Sequence, residues 1–253
     1  MATQPIYQFY AELDDYTPKI WRRFEVSNDI TVARLGYIIQ VLFEMTASHL
    51  MAIEVPHSKN LLSNWRGKYP NMDEDTFSFL HKKENPIWRY EIPNGELEPF
   101  DHIRRDTSVF DATTTRVRHA VNTPKDKLKL NYDFGDDWWV SLKLEKIFTD
   151  KSLPGSELPR VLEGAGFGII EDVGGTIGLE ELAKVFKNKK GADYKRFSEW
   201  LGITELDMDA FDLEDMNFRL KKIPRIYKQS YEDGLIPTQK SIDLIERKYM
   251  RKP

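Results

Sequence analysis

Apolar and polar positions alternate along residues Lys127–Phe148. Leu128, Leu130, Tyr132 and Phe134 interleave with Lys129, Asn131 and Asp133, and the alternation resumes at Trp138, Val140, Leu142 and Leu144. A period of two is that of a strand with one buried face. Gly135-Asp136 between the two runs reads as turn chemistry, because glycine tolerates the positive φ of a tight reversal. A long central β-hairpin is expected. Upstream, Ile6–Leu13 and Lys19–Val26 predict two strands joined through Asp14–Pro18. Leu35, Ile38, Ile39 and Leu42 have helical spacing, with Thr31 as N-cap, so a helix from Val32 to about Phe43 should pack one face. His49–Val55 predicts a third strand. The chain therefore opens β-β-α-β, with the helix laid over a sheet.

The pattern is less regular between Pro56 and Pro86, where short helices are expected around Leu61–Trp65 and Asp73–His81. This stretch reads as an insertion. Ile87–Ile92 predicts a strand and Pro93-Asn94-Gly95 a turn; Phe110–Val121 fits no single period. Lys151–Pro159 reads as a loop and Arg160–Gly178 is glycine-rich. Helices are expected over Leu179–Lys187, Asp193–Leu201 and Thr238–Met250. The fold class is α+β, a roll with a helix-rich C-terminal third. Residues 1–224 read as one domain with an insertion at about 56–86, and residues 225–253 as a basic C-terminal extension.

The totals narrow the function classes. The chain has 253 residues, enough for a real core, with a net charge of −4 and no cysteine. Bulk charge does not attract a polyanion, and neither disulfides nor thiolate chemistry are available. No leader-like N-terminus and no bilayer-length apolar run is present, so a cytoplasmic protein without membrane contact is expected. From Arg219 onward Lys and Arg outnumber Asp and Glu. Such a segment suits phosphates, or the chain's own acidic stretch at Glu205–Asp215. No nucleophile elbow, phosphate-binding loop or dinucleotide fingerprint is found.

The candidate chemistry lies in loops. Asp133, Asp136 and Asp137 surround the hairpin turn beside Trp138 and Trp139; Glu171 and Asp172 precede Gly174-Gly175. Carboxylates from two loops suit Mg²⁺ or Mn²⁺, the arrangement of metal-assisted phosphodiester chemistry. The alternative is structural, with these groups capping backbone N–H groups. Trp21 and Arg23 share one strand face and Arg22 takes the other. An arginine fork suits phosphate, or an internal bridge to a loop carboxylate, which is the preferred reading. His49 and Gln40 could line a pocket, with His49 as a base.

Five motifs in order carry a resemblance: Pro18-Lys19-Ile20-Trp21-Arg22-Arg23, Leu35–Gln40 followed by Ser48-His49-Leu50, Tyr132-Asp133-Phe134-Gly135-Asp136-Asp137-Trp138, Glu171-Asp172-Val173-Gly174-Gly175, and Phe211-Asp212 with Asn217. In these the chain resembles the plasmid pRiA4b Orf-3-like family, whose members are often labelled TnpR-like passenger proteins of transposable elements. The resemblance implies an α+β roll and little about activity. Relatives commonly carry a histidine and three cysteines where this chain has Val140, Val161, Gly168 and Val173, a set suggestive of structural zinc. No zinc is expected at those positions here.

The leading expectation is a non-enzymatic accessory protein of mobile elements, binding nucleic acid through its basic segment or binding a protein partner, and needing no cofactor. The alternative is a Mg²⁺- or Mn²⁺-dependent enzyme on phosphodiesters, with Asp133, Asp136, Glu171 and Asp172 as ligands. A third is a pure interaction scaffold presenting Trp138 and Trp139. No serine-recombinase signature accompanies the TnpR label, and the pattern does not fix an oligomeric state.

Overall fold

The structure, a computed structural model, describes residues 4–71, 73, 86–93 and 106–246. The expected helix at Asp73–His81, the turn at Pro93-Asn94-Gly95, and the basic residues Arg247, Lys248, Arg251 and Lys252 lie almost wholly or wholly outside them.

Eight strands form one sheet. They are β1 Ile6–Leu13, β2 Trp21–Ser27, β3 Met51–Val55, β4 Ile87–Glu91, β5 Thr107–Asp111, β6 Lys127–Tyr132, β7 Trp138–Phe148 and β8 Arg160–Ala165. Their order is β5-β4-β3-β6-β7-β1-β2-β8. Only the β4–β5 pairing is parallel among the described strands. The expected hairpin is present: Tyr132 faces Trp138, Leu130 faces Val140 and Leu128 faces Leu142, and all six are buried. Period two places Tyr7, Phe9, Ala11 and Leu13 of β1 on the same inner face. The outer face is polar: Gln8 and Arg23 both bond Glu145, and Lys19 pairs with Glu12.

Helix α1 (Val32–Leu42) lies on the inner face, N-capped by Thr31, whose hydroxyl accepts the Arg34 N–H. Its spacing predicts one apolar face, yet every residue except Arg34 is buried. The reason is a second helical layer. Helices α6 (Leu213–Leu220) and α7 (Ile223–Tyr231) both pack against α1, and α6 also lies along β8. Arg219 of α6 donates to both carboxylate oxygens of Glu44, just past α1, at 3.0 and 2.7 Å. The expected boundary between 224 and 225 falls inside α7, whose Tyr227 is buried and donates to Met45 O at 2.6 Å. The remaining helices are α2 (His57–Lys68), α3 (Val117–Ala120), α4 (Gly175–Asn188), α5 (Gly191–Leu201) and α8 (Gln239–Ile245). α2 begins directly after β3, so the expected insertion opens with a three-turn helix.

β8 ends the sheet, and Asn217 of α6 occupies its open side. Its Oδ1 accepts the Val161 N–H at 2.8 Å and its Nδ2 donates to Val161 O at 3.1 Å. An amide side chain thus replaces a neighbouring strand at that residue.

Two expectations about the hairpin turn fail here. The reversal at 133–137 does not use glycine's freedom: Asp133 and Asp137 adopt φ of 53° and 55°, and Gly135 has no positive φ. Aspartate tolerates this region because its carboxylate bonds nearby backbone, here Asp133 Oδ1 accepting the Gly135 N–H at 3.1 Å. Phe134, in phase with the inner face, is instead in the turn and 43% exposed. Two of the four positions compared with a zinc set stand far apart. Val140 on β7 and Val161 on β8 are separated by β1 and β2, about 14 Å at three strand spacings.

Candidate functional site

Three loops meet at the end of the central hairpin. The first, residues 46–50, joins α1 to β3. The second is the hairpin turn, anchored by Asp133 N–H donating to Leu50 O at 3.0 Å. The third is Glu171–Gly174, leading into α4. Gly175 allows the last two to meet: its φ is +70°, and a Cβ there would lie 2.6 Å from Asp136 O. Only glycine permits that approach. Asp136 completes the junction by accepting the Gly174 N–H at 3.1 Å.

The junction brings four titratable side chains together. His49 Nε2 lies 3.6 Å from Asp133 Oδ2, 3.6 Å from Asp172 Oδ1 and 3.8 Å from Glu171 Oε2. The ligand atoms of His49, Asp133 and Asp172 all lie within 4.8 Å of one another. Asp133 and Asp172 both hold left-handed backbone conformations, at φ of 53° and 58°. Such conformations concentrate where a side chain must be aimed. Asp133 is almost fully buried, Asp172 is exposed and His49 is partly exposed, so the cluster opens to solvent on one side.

Glu171 is held from behind. Its Oε1 accepts from Thr46 N at 2.7 Å, Thr46 Oγ1 at 3.0 Å and Tyr132 Oη at 2.9 Å. Its Oε2 is buried and has no hydrogen-bond partner. Burial lifts the Glu171 carboxyl above the usual carboxylate range, opposed by those donors and by His49. Burial and the Glu171 charge together raise the Tyr132 hydroxyl as well. A carboxyl whose folded pKa exceeds its unfolded one stabilises the fold at low pH, and that stability is lost as pH rises through the folded value. In the presence of chelator, the urea midpoint of the wild type should therefore fall relative to Glu171→Gln as pH rises from the carboxylate range towards neutrality. A pH-independent difference between the two would refute this.

The other sequence candidates separate from the cluster. Asp137 accepts from Asn131 Nδ2 at 2.8 Å and, like Asp136, is used within the junction. Trp138 is fully buried in the core, while Trp139 is partly exposed with Lys129 Nζ 5.8 Å above its ring. Gln40 is buried behind the site, where its Oε1 lies 3.5 Å from Tyr231 Oη, which also donates to His49 O. Arg22 is fully buried and donates to five carbonyls: Trp21, Leu42, Ala165, Gly166 and Phe167. Arg23 pairs with Glu145 and Glu163. The carboxylate partners of Arg23 lie with it on the outer face, whereas the loops meet at the hairpin end. Trp21 stacks on Tyr10 with centroids 5.5 Å apart. Thr46 and Tyr132 are the site residues that pattern reading did not single out. Tyr132 stands inside the Tyr-Asp-Phe-Gly-Asp motif, but its alternation marked it only as core.

A cleft of about 780 Å³ lies elsewhere, between the β1–β2 turn, α4 and residues 205–209. Its rims carry pairs such as Lys189–Glu205 and Lys184–Glu180, and it shares no residue with the cluster. It is at the cluster that ligand-type side chains and a buried acceptor without a hydrogen bond coincide.

Comparison with known proteins follows the same lines. The model of the family described as plasmid pRiA4b ORF-3-like protein matches residues 5–215. An uncharacterized protein of Sinorhizobium fredii, y4hQ, is 32% identical over 108 residues, covering 42% of this chain and 54% of that protein. The chain thus spans about half the length of that relative. A crystal structure of a protein of unknown function from Methanosarcina mazei has the same fold, with a TM-score of 0.61 and 22% identity over 84% of this chain and 97% of that one. Among the described residues, no helix is long and apolar enough to cross a membrane.

Proposed function

The chain belongs to the plasmid pRiA4b ORF-3-like family, and from that premise we propose that it is a binding module in which a divalent cation at the His49 cluster receives the phosphate of a nucleic acid. The observation that carries this is the convergence of an imidazole and carboxylates from separate loops within 4.8 Å. Those groups are the usual donors of a bound divalent ion. The ligand set differs from the one the sequence suggested, with His49 in place of Asp136.

One feature supports an anionic partner. The net charge of −4 gives no bulk attraction for phosphate, so the support is local. The N-terminus of α4 begins at Gly175, directly after the loop that carries Asp172, and its positive end faces the same junction. Part of the described basic segment is already paired within the chain. Arg219 is buried on Glu44, Lys221 pairs with Glu157 and Lys228 with Glu232. An accessory role in mobile elements is the setting this reading suits.

The test is a native gel with a short DNA duplex, using protein stripped with chelator and protein reloaded with Mn²⁺. A shift should require the ion, weaken as salt rises and disappear in Asp133→Asn. A shift indifferent to both chelator and Asp133→Asn sinks the proposal. A second reading, hydrolysis of phosphodiesters, is favoured by the free Glu171 Oε2 beside His49. Metal-dependent nicking of a supercoiled plasmid in the same experiment would put it first.

A further inference from the structure

The Glu171 carboxylate is oriented by its surroundings. Three donors, Thr46 N, Thr46 Oγ1 and Tyr132 Oη, all bond one oxygen, Oε1. That fixes the plane of the group and turns Oε2 away from them, towards His49 Nε2 at 3.8 Å. The side chain is only 11% exposed, and Oε2 itself is buried without a hydrogen bond. A buried carboxylate oxygen lacking a partner is costly unless something occupies its lone pairs. The three carboxylate oxygens stand 3.6, 3.6 and 3.8 Å from the same imidazole nitrogen. Ligands about 2.1 Å from a tetrahedral ion lie roughly 3.4 Å apart, so each oxygen stands within a few tenths of an ångström of that spacing from the imidazole nitrogen; Glu171 lies outside the group whose ligand atoms are all within 4.8 Å of one another and joins it by moving inward.

Resting on the cation site proposed above, we infer that Glu171 Oε2 is its fourth protein ligand, that Tyr132 is the residue that positions it, and that the site takes a transition-metal ion of the zinc or manganese type in preference to magnesium. The preference follows from the donors. Magnesium keeps several waters and near-ideal octahedral oxygen geometry. The imidazole suits zinc and its transition-metal neighbours, and the carboxylates also suit manganese. Tyr132 acts through Glu171: its hydroxyl holds Oε1, as outer partners commonly orient a ligand. Ser48 Oγ, 3.4 Å from Tyr132 Oη, extends the same chain of polar groups.

The test is calorimetric titration of the chelator-stripped full chain with Zn²⁺, Mn²⁺ and Mg²⁺, together with the visible absorption of the Co²⁺ form. The wild type should bind one Zn²⁺ or Mn²⁺ per chain, undisplaced by a large excess of Mg²⁺. Glu171→Gln should lower that affinity by at least about tenfold, and Tyr132→Phe by roughly tenfold. Both should alter the Co²⁺ spectrum, which a merely structural role would leave unchanged. Glu171→Gln should also melt at or above the wild-type temperature without metal, separating lost coordination from lost folding. If the wild type binds none of the ions, the cation reading fails and this inference with it. If it binds and Asp133→Asn loses the ion while Glu171→Gln keeps wild-type affinity and spectrum, the fourth-ligand assignment alone is overturned. Equal displacement by Mg²⁺ overturns the metal preference.

Discussion

Arg22→Met is expected to cost about 5 kcal/mol, at about 1–3 kcal/mol for each buried carbonyl left without a donor. That approaches or exceeds the whole stability of many domains. Arg22 sits on β2 with no exposure, between the rings of Phe43 and Phe211 at 5.5 and 4.4 Å. Its guanidinium reaches the end of α1 through Leu42 O and the turn after β8 through Ala165, Gly166 and Phe167. That turn leads into the loop carrying Glu171, so the arginine also sets where the third loop of the site begins. Arg22→Lys should recover little, because one ammonium cannot span carbonyls on both sides of a planar fork. Urea unfolding of the wild type and the two variants measures this. A midpoint for Arg22→Met near that of the wild type would show that the clamp is dispensable.

Trp138→Ala should cost about 3–5 kcal/mol, whereas Trp139→Ala should stay within about 0.5 kcal/mol. The two are sequence neighbours, and a scaffold that used the turn as a sticky aromatic loop would need both. Alternation on β7 instead sends Trp138 inward opposite Tyr132, at 0% exposure, and leaves Trp139 on the outer face. Loss of Trp138 would also slacken the packing behind Tyr132, and so weaken the hold on Glu171. Parallel thermal melts decide the matter: equal loss in both variants, or loss only in Trp139→Ala, would reverse the assignment of faces.

The elements that could be read from the sequence are those whose period reports burial directly. β1, β2, β6, β7 and α1 are amphipathic, so their alternation locates them within a residue or two. α1 shows where this stops. Its spacing announces one apolar face, but burial of its other sides depends on α6 and α7, nearly two hundred residues later, and no local pattern encodes that. The site was legible as residue types at loop positions. Asp133, Glu171, Asp172 and His49 all stood out as polar groups at the ends of apolar elements. Their convergence was not legible, because it depends on Gly175 meeting the Asp136 carbonyl and on sheet order. Arg22 shows the same limit: an arginine on a strand suggests an anion, and nothing local reveals that carbonyls from three segments surround it.

The tyrosine that spans from α7 to the carbonyl of His49 has a consequence for how the molecule is made. The two residues are 182 positions apart, and Thr46 waits across 125 positions for Glu171. On a ribosome, the imidazole emerges long before the groups that will surround it. Closing such long loops is slow and comes late. The helix that fastens His49 also lies beyond the residues matched by the family model, which end at 215. The contacts that close the constellation therefore lean on segments far downstream of His49. A chain interrupted before α7 has every donor atom of the cluster and lacks the hydrogen bond that braces the His49 backbone.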